Sequence, residues 1–489
     1  MSQRPTVIGK ELLFVTLGYT LLAIGITWPI VTNLGGLVGG FDGRDSFQHV
    51  WLYWWFWEAL LNLHQTPATV TAMYFPLGAS HPVLWVHALA PLFGLPLTGF
   101  VGSTVTYNIS ILLSIILTGL TAYLLCRAVI GQPQAAFIGG LIFAFAPTRL
   151  GHTIAGHQLL VFSFALPLYT LALWLWLKRP HWRRAALYAI SLFLALISHP
   201  NFVGYFLLPV TLVLLVGHMW QHKGLSGQHW RQLLFSWLAA VILFLPFAIP
   251  MIADLTDQNL SFLNPDDPGE HSADLLSYLT PSPFHPIWQE NPPEWMTTVL
   301  DRERALEEGF NYVGVIALLM AAVGLWRRWP QTRLWLVLTA LTAMLALGPT
   351  LIIAGQDTGW PLPYQLLSGL PFFAWSRTPG RLNMTAMLGL SVMAAAGVAY
   401  LYGTRRRSLA ANLFVVGLAG LIVLDYLPLW PFPLDTRPTP AYYQQLMTMP
   451  INGGILDMPV TGSRRASNYA MFYQTTHRQP LAGGYIERD

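Results

Sequence analysis

Apolar runs close to twenty residues long follow one another along this chain, separated by short polar stretches. Each run approaches the length an α-helix needs to cross the hydrocarbon core of a bilayer. They predict spanning helices over 12–31, 103–126, 134–147, 158–177, 184–198, 201–218, 232–250, 310–326, 333–353, 382–402 and 410–428, about eleven in all. Two further segments, 47–63 and 83–98, are ambiguous, and parity requires both or neither to span. The first carries Glu58 and is packed with tryptophan, which prefers the membrane interface. The second is interrupted by Pro91 and Pro96. Both read as outer-face elements, interfacial or re-entrant, with about thirteen spanning helices as the alternative.

Charge orients this pattern. Of 489 residues 54% are hydrophobic and only 10% charged, against roughly 25% charged in soluble domains. The basic residues gather at Arg127, Lys178-Arg179, Arg183-Arg184, Lys223, Arg231, Arg327-Arg328, Arg333 and Arg405-Arg406-Arg407. Putting all of them in the cytoplasm leaves Glu11 as the only acidic residue there. The N-terminus is then cytoplasmic and the C-terminus external. The pI near 9.1 follows from this placement, so no nucleic-acid partner is expected. Cys126 excludes an internal disulfide and lies in an apolar run. The first run lacks a small-residue cleavage site and reads as a retained anchor helix. The fold class is an all-α polytopic transmembrane bundle over 1–430. A small extracytoplasmic α/β segment follows over 431–489, a thin soluble domain at best or the beginning of a longer one. In it, 453–460 and 479–486 each read as a short strand with a glycine turn.

The unusual polar groups fall at the outer ends of helices. Asp42 and Asp45 stand three residues apart in the glycine-containing loop Gly39-Gly40-Phe41-Asp42-Gly43-Arg44-Asp45-Ser46. As plain structure they are a turn residue and an N-cap. As chemistry they are carboxylates at the mouth of a membrane cavity. Arg149, His152 and His157 follow, then His199 before Pro200, His285 in a proline-rich loop, and Arg377 and Arg381. Arginine forks and imidazolium hold phosphate oxygens, and a carboxylate can take a proton from an attacking hydroxyl. Bland readings compete. His152 and His157 are five apart and would not share a face of one helix as a metal pair does, although a loop can still bring them together. His199 is equally a helix terminator, and Arg377 and Arg381 also serve as interfacial anchors. Glu58 reads as facing an outer aqueous pocket. Trp51, Trp54 and Trp55 read as interfacial anchors rather than a sugar-stacking platform.

The loop Asp42 to Gln48 with its tryptophan-rich helix resembles the GT-C glycosyltransferase superfamily, in its bacterial YfhO-like and glycosyltransferase 39-like groups. Tyr74-Phe75-Pro76-Leu77-Gly78, Phe143 to His157, Ala273 to Pro286, Ser376 to Leu382 and Tyr473 to Tyr485 extend the likeness in the same order along nearly the whole chain. The resemblance implies an enzyme of the bacterial inner membrane that uses a polyprenyl-phosphate-linked sugar at the outer face. An acidic residue of the first outer loop, Asp42 or Asp45, would be catalytic. The expected partners are the lipid bilayer, that donor, and an acceptor glycan, lipid or protein. Arg149, His152, His157, His199, Arg377 and Arg381 would bind substrate or phosphate. Asp42 would deprotonate the acceptor, and Asp45 would assist it or hold an optional divalent cation, Mg or Mn. A transporter of a lipid-linked precursor and a non-catalytic scaffold are the rival readings.

Overall fold

The helix Ser103–Ile130 sets the scale of the molecule: 28 residues, about 42 Å at 1.5 Å per residue. Its serines and threonines do not interrupt it. Ser110, Ser114 and Thr121 return their hydroxyls to backbone carbonyls three or four residues earlier, so no polar group is left for lipid to solvate. Gly131 ends the helix in the left-handed conformation. The computed structural model describes residues 5–41, 45–256, 268–282, 285–288, 290–300, 311–403, 409–427, 429–435, 439–449, 453–458 and 463–485. Asp42, the arginines at 405–407 and much of the proline-rich loop lie outside the described residues.

Among the described residues seven helices are long and apolar enough to cross a membrane: Gly9–Ile26, Ser103–Ile130, Gln158–Lys178, Val203–His222, Gly227–Ala253, Pro379–Gly403 and Leu409–Tyr426. Shorter apolar helices run over Leu89–Val101, Pro133–Ala144 and Val315–Arg327. The protein is a mostly helical, multi-pass membrane protein. At its centre stands Asn383–Gly403, buried on every side from Asn383 to Ala399. It packs against Val315–Arg327 through glycines: a Cβ on Gly397 would fall 1.9 Å from the carbonyl oxygen of Met320, and one on Gly324 would fall 2.1 Å from that of Met393. Small residues at such crossings let two backbones touch where lipid supplies no hydrophobic drive. Gly227–Thr256 behaves oppositely, presenting Leu234, Trp237, Leu238, Ile242 and Ile249 outward. At one end of the bundle Glu11 accepts from Arg127 at 3.0 Å and from Tyr123, which puts the acid read as cytoplasmic beside the first basic cluster.

Three corrections concern the segments 47–63 and 83–98 and the C-terminal stretch. The tryptophans of the helix Asp45–Trp57 are not anchoring indoles, because Ser46 to Phe56 are all buried within the protein. Trp51 stacks on Trp55 at 5.8 Å and donates its indole N–H to Gln474 at 2.7 Å, while Trp55 donates to the Pro67 carbonyl at 2.9 Å. The indoles are core groups, although Asp45, Gln48 and His49 give the helix one polar side, and part of its cover comes from the far end of the chain. The 83–98 segment breaks at His87 and Ala88, not at its prolines. Pro91 sits in the first turn of Leu89–Val101, where no N–H is needed, and the helix runs on through Pro96. In the C-terminal stretch the expected strands 453–460 and 479–486 fall partly outside the described residues, at 459–460 and 486; among the described residues they show one parallel bridge, Ile455 with Leu481, on either side of the helix Arg464–His477.

That C-terminal helix packs along the tryptophan helix, Phe47 meeting Tyr469 and Phe472 at ring distances of 5.1 and 4.6 Å. Nearby, Val38–Gly39 pairs antiparallel with Leu434–Asp435. Both contacts bring the end of the chain onto the loop that precedes Asp45.

Candidate functional site

Asp45 opens the tryptophan helix, where unpaired backbone N–H groups favour a negative side chain. Its position is set from across the molecule. Phe41 donates its N–H to the Ile154 carbonyl at 3.1 Å, tying the chain just before Asp45 to the turn after Pro147–Ile154. Gly156 has φ +87, and a Cβ there would fall 2.5 Å from the Ser46 nitrogen. Only glycine allows this close approach in this backbone conformation. The turn therefore closes on the start of the helix and delivers His157 to Asp45.

The resulting contacts are specific. His157 Nε2 lies 3.4 Å from Asp45 Oδ2, and the Arg464 guanidinium lies 2.5 Å from Oδ1. The Nδ1 atoms of His152 and His157 are 2.9 Å apart. With His157 turning Nε2–H to the carboxylate, its Nδ1 accepts from His152. The five-residue spacing that excludes a shared helical face is bridged because the helix ends at Ile154 and the chain folds back. His157 donates its N–H to the His152 carbonyl at 2.9 Å.

Asp45 and His157 face a narrow cleft also lined by Gln48, His49, His81, His87, His199 and Arg381. His49 follows Asp45 by one helical turn. His87 donates Nδ1–H to the Val83 carbonyl at 2.9 Å and meets His199 edge to face, ring centroids 4.5 Å apart. His199 accepts at Nδ1 from the Asn201 N–H, which puts its ring proton on Nε2. Asn201 in turn donates to Thr378 Oγ1 at 3.3 Å, holding the His199 turn against the short helix Pro379–Leu382 that carries Arg381. The cleft joins a carboxylate–imidazole–imidazole chain able to hold and pass a proton to further imidazoles and a guanidinium able to hold an anion. Its volume is about 70 Å³. That admits a few water molecules and falls well short of the roughly 300–1,000 Å³ of small-molecule pockets.

Of the residues expected from sequence, Asp45, His157, His199 and Arg381 line this cleft, and His152 stands behind His157. Arg149 does not reach it. It is 2% exposed and donates to Ser163 Oγ at 2.5 Å, the Val161 carbonyl at 2.7 Å, Thr118 Oγ1 at 3.2 Å and the Ala144 carbonyl at 3.4 Å. Its donors are taken up by the chain's own turn, so the rim reading is corrected to a buried staple. Arg377 ends the helix Pro371–Ser376 with φ +32 and is not among the cleft's lining residues. His285 donates to the Leu424 carbonyl at 2.8 Å and accepts from Ile287, a structural pairing. Glu58 accepts from Asn62 at 2.7 Å. Sequence reading passed over His49, His81, His87 and Arg464. The four-residue interval from Asp45 to His49 and the His-Pro pair at 81–82, matching that at 199–200, were visible signals; Arg464 had none. Among the described residues no group of three or more His, Cys, Asp or Glu is arranged to hold a metal ion.

A multi-pass membrane protein with a polar cleft built at the start of its tryptophan-rich helix is the class these observations define. The chain belongs to the family described as DUF6311, a domain of unknown function, whose profile matches residues 13–425. The match takes in Asp45, His157, His199 and Arg381 and stops short of Arg464. No curated protein matches significantly. Among solved structures, the chain is similar to the archaeal oligosaccharyltransferase AglB from Archaeoglobus fulgidus in complex with an inhibitory peptide and a dolichol-phosphate. That similarity has 14% identity and a TM-score of 0.47, over 98% of this chain and 65% of that one. It is also similar to the Archaeoglobus fulgidus oligosaccharyltransferase in complex with Zn and sulfate, with 14% identity and a TM-score of 0.48, over 97% of this chain and 62% of that one. The chain thus spans less than two thirds of the length of these proteins.

Proposed function

We propose that this protein transfers a sugar from a polyprenyl-phosphate-linked donor to an acceptor hydroxyl at the extracytoplasmic face of a bacterial inner membrane. One observation carries the reading: Asp45, His157, His199 and Arg381, on four separate stretches of chain, share one cleft. The family resemblance of the first outer loop points the same way.

In this reading Asp45 takes the proton as the acceptor oxygen attacks the anomeric carbon. A new C1–O bond forms with inversion, the C1–O bond to the phosphate breaks, and polyprenyl phosphate leaves. Arg381 and the imidazoles of His199, His87 and His49 stabilise the charge that develops on that phosphate, usually the largest catalytic contribution. His157, backed by His152, holds the Asp45 carboxylate in position. Arg377 stays a secondary candidate for holding the lipid phosphate outside the cleft, and Asp42 an alternative base. The present cleft is too small for a sugar ring, so it corresponds to a resting arrangement. Arg464, whose side chain is 46% exposed, is the group that must swing aside.

A second reading has its own support, since both carboxylate oxygens of Asp45 are engaged by the chain itself. Asp45 would then be a tie between the membrane bundle and the C-terminal helix in a scaffold without chemistry. The decisive measurement is sugar transfer by purified Asp45→Asn and Asp42→Asn, with melting temperatures. Loss of a general base costs about 10²- to 10⁴-fold in rate, and the transfer reading expects that from Asp45→Asn at nearly unchanged melting. Full activity in both variants removes the carboxylates from the mechanism. A parent inert with every polyprenyl-phosphate donor tried leaves the scaffold.

A further inference from the structure

The C-terminal stretch encloses a second cavity of about 350 Å³, five times the volume of the Asp45 cleft and within the usual range for small-molecule sites. Its walls include Tyr442, Tyr443, Tyr469, Tyr473, Asp457 and Ser467. The rings form a stack. Tyr443 lies 4.1 Å from Tyr442 and 4.4 Å from Tyr473, with interplanar angles of 35° and 21°. Rings this close have no room for a ligand between their faces. They offer the cavity their edges and hydroxyls, and Tyr442, 52% exposed, ends the stack with an open face.

Asp457 gives the cavity its polarity. Oδ1 accepts from the Tyr443 hydroxyl at 3.1 Å. Oδ2 is buried and has no hydrogen-bond partner among the described residues, and desolvation pushes the carboxyl's pKa up. Buried acceptors without donors are rare and call for an explanation. At Gly483, also in the wall, no atom lies within 4 Å of where a Cβ would stand, so the backbone there is open to a ligand. Leu456 and Met458 add exposed apolar surface.

These features select a ligand class. Among the described residues no lysine or arginine lines the cavity, which disfavours a phosphate or other anion. A cation cage needs ring faces turned to a common point, and these faces are turned to one another. A neutral molecule with many hydroxyls and one apolar side fits instead: its hydroxyls donate to Asp457 and exchange hydrogen bonds with the tyrosine and serine hydroxyls, while its C–H face lies on Tyr442. We propose that this cavity is a saccharide-binding site and that it seats the acceptor glycan. The acceptor role rests on the transfer reading; saccharide binding does not. The cavity shares the helix Arg464–His477 with the Asp45 cleft. Tyr469, in the cavity wall, stands five positions after Arg464, on the carboxylate, about 7.5 Å along the axis.

Saturation-transfer NMR on the full-length protein in detergent, with N,N′-diacetylchitobiose, maltose, lactose and α-1,2-mannobiose as probes and no donor present, tests the binding directly. At least one probe should bind. Affinity should fall about tenfold, one hydrogen bond's worth, in Asp457→Asn and in Tyr442→Ala, and vanish in Gly483→Leu, which fills the cavity from an uncrowded position. Melting temperatures of all three should match the parent. Binding of no probe to the parent overturns the proposal, and so does binding that survives both Gly483→Leu and Asp457→Asn. Where transfer is measurable, Asp457→Asn should raise the acceptor KM and spare kcat. Saccharide binding in a parent that transfers nothing overturns the acceptor role and the transfer reading, and leaves the binding site standing.

Discussion

Arg149 and Arg381 look alike in the sequence: each stands two positions after a proline where an apolar run meets a polar turn. The molecule uses them differently. Arg149 finds four acceptors within its own turn and the neighbouring helices, with the Phe143 ring 5.6 Å from its guanidinium. It holds Pro147–Ile154 against Ser163 and Thr118, and nothing beyond the chain can reach it. Arg381 lines a cleft with five histidines and a carboxylate. A charge in an apolar protein must be answered by opposite dipoles or charges. Where the chain supplies the whole answer the residue is architecture, and where a cleft stands open beside it a ligand can supply the rest.

The largest effect that would break this contrast is at Arg149. Replacing it by methionine takes the guanidinium donor from the Ser163 and Thr118 hydroxyls and the Ala144 carbonyl, at about 1–3 kcal/mol for each buried group left unpaired, while the Val161 carbonyl keeps the Ser163 N–H at 2.8 Å. The variant should therefore lose most of its folded population, seen as a large fall in melting temperature and aggregation on gel filtration. A shift of only a degree or two would mean that water reaches the site and Arg149 is no staple. Arg381→Ala should do the reverse. Folding is retained, and binding of polyprenyl phosphate weakens by about 1.5–3 kcal/mol, the worth of a hydrogen bond to a charged group. Tight binding by this variant, against clear binding by the parent, would make Arg381 an interface anchor.

The smallest effect sharpens the comparison at the C-terminal helix. His477 is fully buried, accepts at Nδ1 from the Gln479 N–H at 3.0 Å, and has no partner for Nε2 among the described residues. Burial lowers its pKa to about 4, against roughly 6.5 in an unfolded chain. Between those values the unfolded segment binds a proton that the folded one does not, so stability is complete above about 6.5 and falls as pH drops toward 4. Limited proteolysis across the 463–485 stretch should quicken as the pH falls from 7 to 5, and His477→Asn should flatten that response. Equal protection at both values would show that the imidazole is solvated.

The chain by itself determined that this is a helical membrane protein, and it placed Asp45, His157, His199 and Arg381 among the candidates. The physical reason is local: apolar length is set by the bilayer, and a charged residue in so apolar a chain stands out wherever it sits. Tertiary structure decided which candidates meet. Trp51 is core rather than interface because Gln474, 423 positions away, and the helix around it close over the tryptophan helix; periodicity records a helix's own faces and not what covers them. His152 and His157 come together only because Gly156 tolerates the backbone of Ser46 at its side. Arg464 reaches Asp45 because the C-terminal helix returns to the start of the tryptophan helix, and no interval between neighbouring residues encodes that return.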